Sequence, residues 1–241
     1  MPRTARLRLP DVPLHILQRG HNRSPCFIDT KDYELYLGLL EEFSLLHACP
    51  VHAYVLMTNH IHLLATPQRP ESASEMMRSV NQRYVQHVNR KWKRSGSLWE
   101  GRFRSSLVDS ESYFFTCQRY IELNPVRAQM TAFPGQHPWS SYRANAEGFP
   151  TSLVVEHSLY AGLGADAAAR RRNYRAMFDR PLSPVQLEAI RGAIRSNRPL
   201  GSEAFAKAMT SIFGKRAETP SMGRPRGSPG KNEQAPLFQE K

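Results

Sequence analysis

Two histidines separated by one residue are the first feature of this sequence that could do chemistry. They lie in the apolar stretch LMTNHIHLLATP, residues 56–67, as His60 and His62. Side chains of an extended strand alternate between its two faces, so both imidazoles point one way while Ile61 points the other. Histidine is the commonest metal ligand, and the pair therefore fits a metal site. Two half-exposed strand histidines without a ligand fit the same stretch, so further residues must decide.

The segment ESYFFTCQRYIELNPVRA, residues 111–128, predicts a helix with a candidate nucleophile and a third ligand. Tyr120 and Asn124 are four residues apart and share one helix face. If that face is turned to the histidine pair, the Asn124 side-chain oxygen completes a His-His-Asn site beside the Tyr120 hydroxyl. Such ligands suit Mg²⁺ or Mn²⁺ and do not exclude Zn²⁺. Pro125 disfavours helical geometry at Asn124, which leaves the direction of its side chain open.

A tyrosine hydroxyl beside a divalent ion predicts covalent phosphoryl chemistry, because the ion polarises a phosphodiester and stabilises the charge of the transition state. Attack by Tyr120 would leave a 5′-phosphotyrosine on one DNA end and a free 3′-hydroxyl on the other. The covalent bond keeps the energy of the phosphodiester and allows strand transfer without ATP. Two alternatives stay open: Tyr120 only packs in the core, or the histidines belong to a zinc hydrolase that uses metal-bound water.

The charge of the chain favours a polyanionic partner, since 33 Lys and Arg exceed 21 Asp and Glu and give a net charge of +12. Residues 78–104 contain eight basic residues, one acidic residue and four interleaved aromatic rings. Cations that hold the backbone and rings that stack on bases are typical of single-strand binding. A solvated helix face with core aromatics gives the same pattern. The predicted DNA-binding residues are Arg19, Arg23, Arg78, Arg83, Arg90, Lys91, Lys93, Arg94, Trp99, Arg102, Phe103 and Arg104.

The cysteine content and the hydropathy of the sequence indicate the cellular compartment of the protein. The three cysteines form no CxxC pair, which is typical of a reducing compartment. No segment approaches the roughly 18 apolar residues of a membrane span. The first residues, MPRTARLRLP, are not followed by the apolar core of a signal peptide. We therefore expect a cytoplasmic, nucleoid-associated protein without membrane contact.

The order of predicted elements is strand, helix, strand, strand, helix, strand, which predicts an α+β fold of the ferredoxin-like βαββαβ type with an antiparallel sheet and helices on one face. His15, on the first strand, is either a partner of the site or a core histidine. The elements are strand 12–20, helix 29–49, a hairpin that turns at Thr58 and Asn59, helix 71–94 and strand 101–110, followed by the helix from 111.

Five segments within residues 14–144 carry a family resemblance: LHILQRGHNR, MTNHIHLL, GSLWEGRFRSSLV, YIELNPVRA and HPWSSYRA. NHIHLL resembles the HUH motif of single-strand DNA nucleases, and the set is similar to the REP-associated tyrosine transposases of the IS200-like, single-tyrosine HUH superfamily. The resemblance implies that Tyr120 is the nucleophile and that His60, His62 and Asn124 hold the metal. It also implies a substrate of single-stranded DNA and palindromic REP hairpins. Some relatives have glutamine in place of Asn124, which leaves the metal preference open.

We predict three regions: an HUH tyrosine transposase and nuclease domain over residues 1–145, a helical appendage over 150–213, and a basic, Gly- and Pro-rich tail over 214–241 that is disordered. The predicted function is a metal-dependent single-strand endonuclease and DNA transposase with strand-transfer activity. The alternative is a protein that binds hairpin DNA without cutting it. The sequence leaves open a monomer or a homodimer.

Overall fold

The computed structural model describes residues 6–214 and Ala217, so the predicted tail lies almost entirely outside the described residues. The strands are β1 (Leu14–Arg19), β2 (Val51–Met57), β3 (His60–Ala65) and β4 (Arg104–Leu107). The helices are α1 (Thr30–Leu46), α2 (Ser72–Lys91), α3 (Ser110–Glu122), α4 (Asn124–Arg127), α5 (Ser158–Ala161), α6 (Ala167–Ala176), α7 (Pro184–Ser196) and α8 (Glu203–Phe213).

The four strands form one antiparallel sheet in the order β2-β3-β1-β4. β2 and β3 are joined by the two-residue turn at Thr58 and Asn59, as the sequence predicts. With α1 between β1 and β2 and α2 between β3 and β4, the arrangement is the ferredoxin-like βαββαβ fold. The prediction of the fold class is thus confirmed.

Helices α1 and α2 cover one face of the sheet. Ile16, Leu63, Leu40 and Tyr84 are fully buried in the core between them. α1 begins at Asp29, whose side chain accepts a hydrogen bond from the backbone N–H of Asp32, while Asp32 caps the backbone N–H of Asp29 in return. This capping box satisfies amide donors that the first turn of a helix leaves unpaired.

The other face of the sheet is covered as well, by α3 and α7. Val55, Leu64, Ile121 and Ile190 are fully buried in this second core. The expectation of helices on one face alone is therefore wrong. Every residue of β2 is buried. A strand whose apolar and polar residues do not alternate must be covered on both faces of the sheet.

The helical region after residue 150 is tied to the sheet by the chain that follows α7. The backbone N–H of Leu200 donates to the Leu107 carbonyl at 2.7 Å, and the N–H of Asp109 donates to the Leu200 carbonyl at 2.8 Å. These bonds extend the end of β4 and hold the C-terminal end of α7 against it. The predicted boundary between residues 145 and 150 stays a prediction. None of the described helices has the length and hydropathy of a membrane span.

Candidate active site

The register of the central strands fixes the direction of the paired histidines. On β1, Arg19 pairs with His60 and Leu17 pairs with His62. His60, His62 and Leu64 therefore point to the face of the sheet that α3 covers, where Leu64 belongs to the second core. The ring centres of His60 and His62 are 5.2 Å apart, so both imidazoles reach the same small volume.

The helix that carries the candidate nucleophile is interrupted just before Asn124. α3 ends at Glu122, Leu123 has φ −83° and ψ 1°, and the short helix α4 starts at Asn124. Pro125 lacks the N–H that would continue the ladder, which explains the break. The ladder resumes at once, since the Arg127 N–H donates to the Leu123 carbonyl at 2.9 Å. Asn124 thus stands on a defined turn.

The four residues predicted for the site come together in one cleft. Tyr120, Asn124, His60 and His62 all line it, and the cleft has a volume of about 330 Å³. The Tyr120 ring meets the His62 ring edge-on with centres 5.7 Å apart. Tyr120 is 7% exposed and Asn124 is 9% exposed, so most of each side chain is buried although both line the cleft.

Hydrogen bonds hold one nitrogen of each imidazole. His15 Nε2 and His62 Nδ1 share a buried hydrogen bond of 2.8 Å, and His60 Nδ1 is 2.7 Å from Asn59 Oδ1. The Nε2 atom of each ring in the pair is thereby left for another partner, and the Asn124 side chain hydrogen-bonds His60. His15 is a partner of the site, which the sequence left open.

All three imidazoles are neutral at pH 7. Burial, with Arg19 next, lowers the pKa of His60 to about 4, although its hydrogen bond with Asn124 opposes the shift. Burial holds the pKa of His62 well below its usual range, and the neighbouring His15 adds to the effect. Burial, followed by Arg127, lowers the pKa of His15 to about 3. A neutral imidazole keeps the lone pair that a metal ligand needs.

The donor set fits a divalent cation. Two neutral imidazoles, each oriented by a hydrogen bond at Nδ1, stand beside an amide group on the facing turn. This is the arrangement of a ligand with an outer partner that fixes its tautomer. Within residues 6–214 no group of three or more His, Cys, Asp or Glu side chains is arranged for metal binding. A site here therefore depends on the amide oxygen of Asn124 as its third protein ligand.

Arg127, which the sequence analysis did not single out, belongs to the same cleft. Its guanidinium carbon lies 4.0 Å from the centre of the Tyr120 ring, a cation–π distance. Burial lowers the pKa of Arg127, and Tyr120 opposes that shift. Its position three residues after Asn124, on the next turn of the same helix face, was the signal that could have found it.

The predicted DNA-binding residues are divided by the structure. Arg19 lines the cleft of Tyr120, and a neighbouring cleft adds Arg102 and Arg104. Trp99 and Phe103 are buried in the first core at 5% and 6% exposure, so little of either ring is free to stack on a base. The exposed members are Arg23, Arg78, Arg83, Arg90, Lys93, Arg102 and Arg104, and Arg94 is half-buried.

Lys91 is engaged within the protein. Its ammonium group lies 2.7 Å from Asp29 Oδ1 and 2.8 Å from Asp32 Oδ1. Hydrogen bonds from Asp29 and Asp32 raise the pKa of Lys91. The structure thus gives Lys91 a role in joining the end of α2 to the start of α1, whereas the sequence suggested DNA contact.

We expect Lys91→Gln to lower the midpoint of thermal unfolding, because the buried Asp32 carboxylate loses its cation. The same variant should leave the salt dependence of DNA binding unchanged. Arg90→Gln is the matched control, since Arg90 is exposed one residue earlier and its loss should not change the melting midpoint. Thermal unfolding followed by circular dichroism, and DNA binding at several salt concentrations, check both statements. A weaker salt dependence for Lys91→Gln would contradict them.

The fold is similar to that of solved structures. A structure of a REP-associated tyrosine transposase bound to a REP hairpin matches 65% of this chain and 93% of that chain, at a TM-score of 0.53 and 16% identity. At this identity the match shows a shared fold. A candidate transposase from Deinococcus radiodurans R1 matches 57% of this chain and 96% of that chain, at 17% identity and a TM-score of 0.34, which is too low to support a conclusion. No curated protein matches the sequence.

A family model matches the N-terminal part of the sequence. Residues 9–124 match the family model described as "Transposase IS200 like". The matched range contains the whole sheet, the paired histidines, Tyr120 and Asn124. The family resemblance seen in the motifs is confirmed.

Proposed function

We propose that this protein is a metal-dependent tyrosine nuclease and DNA transposase that cuts and transfers single-stranded or hairpin DNA. The observation that carries the proposal is that Tyr120, Asn124, His60 and His62 line one cleft. The match of residues 9–124 to the IS200-like transposase family model supports the transposase role. The solved structure with the same fold held a REP hairpin, which supports hairpin DNA as the ligand.

The proposed reaction is a displacement at phosphorus. The Tyr120 oxygen forms a bond to the phosphorus and releases its proton to solvent, while the bond to the 3′-oxygen breaks and that oxygen takes up a proton. The products are a 5′-phosphotyrosine and a free 3′-hydroxyl, and the reverse step with a different 3′-hydroxyl transfers the strand. Arg127, stacked on the Tyr120 ring, keeps the phenol in its place at the cleft and adds positive charge beside the phosphate.

His60, His62 and Asn124 would hold Mg²⁺ or Mn²⁺, and Zn²⁺ is compatible with the same donors. A divalent ion there supplies charge neutralisation at the phosphate oxygens. The residues of the chain do the positioning: His15 orients the His62 ring, Asn59 orients the His60 ring, and the turn at Leu123 directs Asn124.

The proposal is tested by a covalent adduct. A labelled palindromic hairpin oligonucleotide with single-stranded extensions is incubated with the protein and Mn²⁺ and run on a denaturing gel. A labelled band at the mass of the protein plus DNA is expected, and EDTA should abolish it. Binding without any adduct would favour the non-cleaving hairpin-binding protein, while free 5′ ends without an adduct would favour hydrolysis by metal-bound water.

His15→Phe is expected to weaken the response to Mn²⁺, because the buried ring keeps its volume but loses the nitrogen that fixes His62. Loss of such an outer partner typically costs about 10–100-fold in metal affinity or activity. The Mn²⁺ concentration for half-maximal adduct formation should rise accordingly. His52→Phe is the control: His52 is also buried, and its ring nitrogens bond Thr66 and Val155 away from the cleft. Equal Mn²⁺ requirements for the two variants would refute a role for His15 at the site.

A further inference from the structure

The cleft of Tyr120 has a second wall that lies outside the family-matched residues 9–124. This wall is α7, from which Arg191, Ile194 and Arg195 line the cleft. Arg191 and Arg195 are one helical turn apart and therefore project from one face. Residues distant in sequence thus contribute two cations to the cleft that holds the candidate nucleophile.

α7 is fixed in this position. Ile190 and Ala193 are buried in the core shared with α3. The Arg195 carbonyl accepts a hydrogen bond of 2.9 Å from Arg104 Nη1 on β4, and Asn197 Oδ1, at the end of α7, accepts one of 3.0 Å from the backbone N–H of Ser105. With these contacts to both α3 and the edge strand, α7 presents its arginines from a rigid support.

The basic wall continues into the neighbouring cleft. Leu17, Arg19 and Arg195 line both clefts, which together contain six arginines and one acidic residue, Glu100. A cleft lined by one sign of charge concentrates counter-ions of the opposite sign. The two clefts are therefore adjacent, and together they present a basic surface beside Tyr120.

The two arginines of α7 are available to a ligand. The guanidinium of Arg191 forms no hydrogen bond or ion pair with any residue that the structure describes. Arg195 pairs with Glu188, but both side chains are more than 60% exposed, and such surface pairs contribute little and exchange easily. Arg191 also lies close enough to Arg127 to disfavour its charge. An anion between them would relieve this repulsion.

We propose that α7 is a phosphate-binding wall, on which Arg191 and Arg195 hold the backbone of the single strand that crosses the cleft on either side of the phosphodiester attacked by Tyr120. This inference rests on the proposed function and adds the path of the strand. Guanidinium groups bind phosphate oxygens bidentately. A cationic groove that follows the backbone is the usual means of holding single strands irrespective of sequence.

The test compares two DNA ligands with the full chain in EDTA, so that no cleavage occurs. One is a palindromic hairpin with single-stranded extensions of about ten nucleotides on both sides, and the other is the same hairpin with a blunt end. For Arg191→Gln/Arg195→Gln we expect roughly tenfold weaker binding of the extended hairpin at low salt. The slope of log K against log salt should fall by about 0.7 for each phosphate that the variant no longer neutralises. Binding of the blunt hairpin should stay within about twofold of wild type.

Arg172→Gln/Lys207→Gln is the matched control, because it removes two exposed cations from α6 and α8 that line neither cleft. It should change neither affinity. Equal losses for both ligands in the α7 variant, no loss at all, or a wild-type protein that binds both hairpins equally well would each overturn the proposal. The adduct assay with Mn²⁺ reports separately on cleavage, so a failure of the nuclease chemistry is distinguishable from a failure of the α7 wall.

Discussion

Tyr120→Phe is expected to abolish the covalent protein–DNA adduct, with a loss of roughly 10³-fold or more, because the variant lacks the oxygen that we propose as the nucleophile. The ring itself remains, so its edge contact with His62 and the Arg127 stack are kept. Hairpin binding in EDTA and the unfolding midpoint should therefore stay at wild-type values. The measurement is the labelled band on a denaturing gel in Mn²⁺.

Tyr113→Phe is the matched control for this change. Tyr113 lies about two turns earlier on the same helix and does not line the cleft. Its variant should form the adduct as efficiently as the wild type. An adduct that survives Tyr120→Phe would move the nucleophile to another residue and remove the central element of the mechanism.

Among the substitutions considered, Glu122→Ala is expected to lower the free energy of unfolding the most. Glu122 stands between Tyr120 and Asn124 in the sequence, and its side chain is fully buried. It accepts hydrogen bonds from Ser141 Oγ at 2.6 Å, Asn145 Nδ2 at 2.8 Å and Tyr174 Oη at 2.7 Å. Ser141 Oγ also reaches the Tyr54 carbonyl at 3.3 Å, but the Tyr174 hydroxyl and one Asn145 N–H lose their acceptor, at a cost of about 1–3 kcal/mol each. We expect the free energy of unfolding to fall by about 3 kcal/mol or more, measured by urea denaturation.

Glu147→Ala provides the control for Glu122→Ala, because the exposed Glu147 makes an ion pair with Arg143 at the surface. A change within about 0.5 kcal/mol is expected there. Glu122→Gln, which keeps the shape and one acceptor oxygen, should fall between the two. If Glu122→Ala unfolds at the urea concentration of Glu147→Ala, the buried network does not hold α3 to α6 as the structure indicates.

Local pattern was sufficient to predict the strands and to place the two histidines on the same side of one strand. The alternation of a strand places His60 and His62 on one side whatever the rest of the chain does, and the two-residue turn at Thr58 and Asn59 sets the register of the hairpin. The one-turn spacing of Tyr120 and Asn124 is likewise a property of the local chain. These features depend on neighbours within a few residues, so they can be read from a single sequence.

Side-chain burial could not be assigned in the same way. Basic and aromatic residues between 78 and 104 form one pattern in the sequence, yet the fold sends Trp99 and Phe103 into the core and engages Lys91 with two carboxylates. The residue type of an aromatic side chain is the same whether its ring stacks on a base or packs against a helix. Its role depends on which elements pack against it.

Contacts between distant residues were decided by the tertiary structure alone. His15 and His62 are 47 positions apart in the sequence. Helix α7 brings Arg191, Ile194 and Arg195 to a cleft whose other lining residues all precede position 129. Such pairs depend on sheet order and on the packing of α7 against α3, which no local periodicity contains. By itself, therefore, the sequence predicted the fold class, the family resemblance and the four candidate active-site residues, because these follow from short-range spacing and motifs. The hydrogen-bond partners of those residues and the second wall of the cleft came from long-range packing.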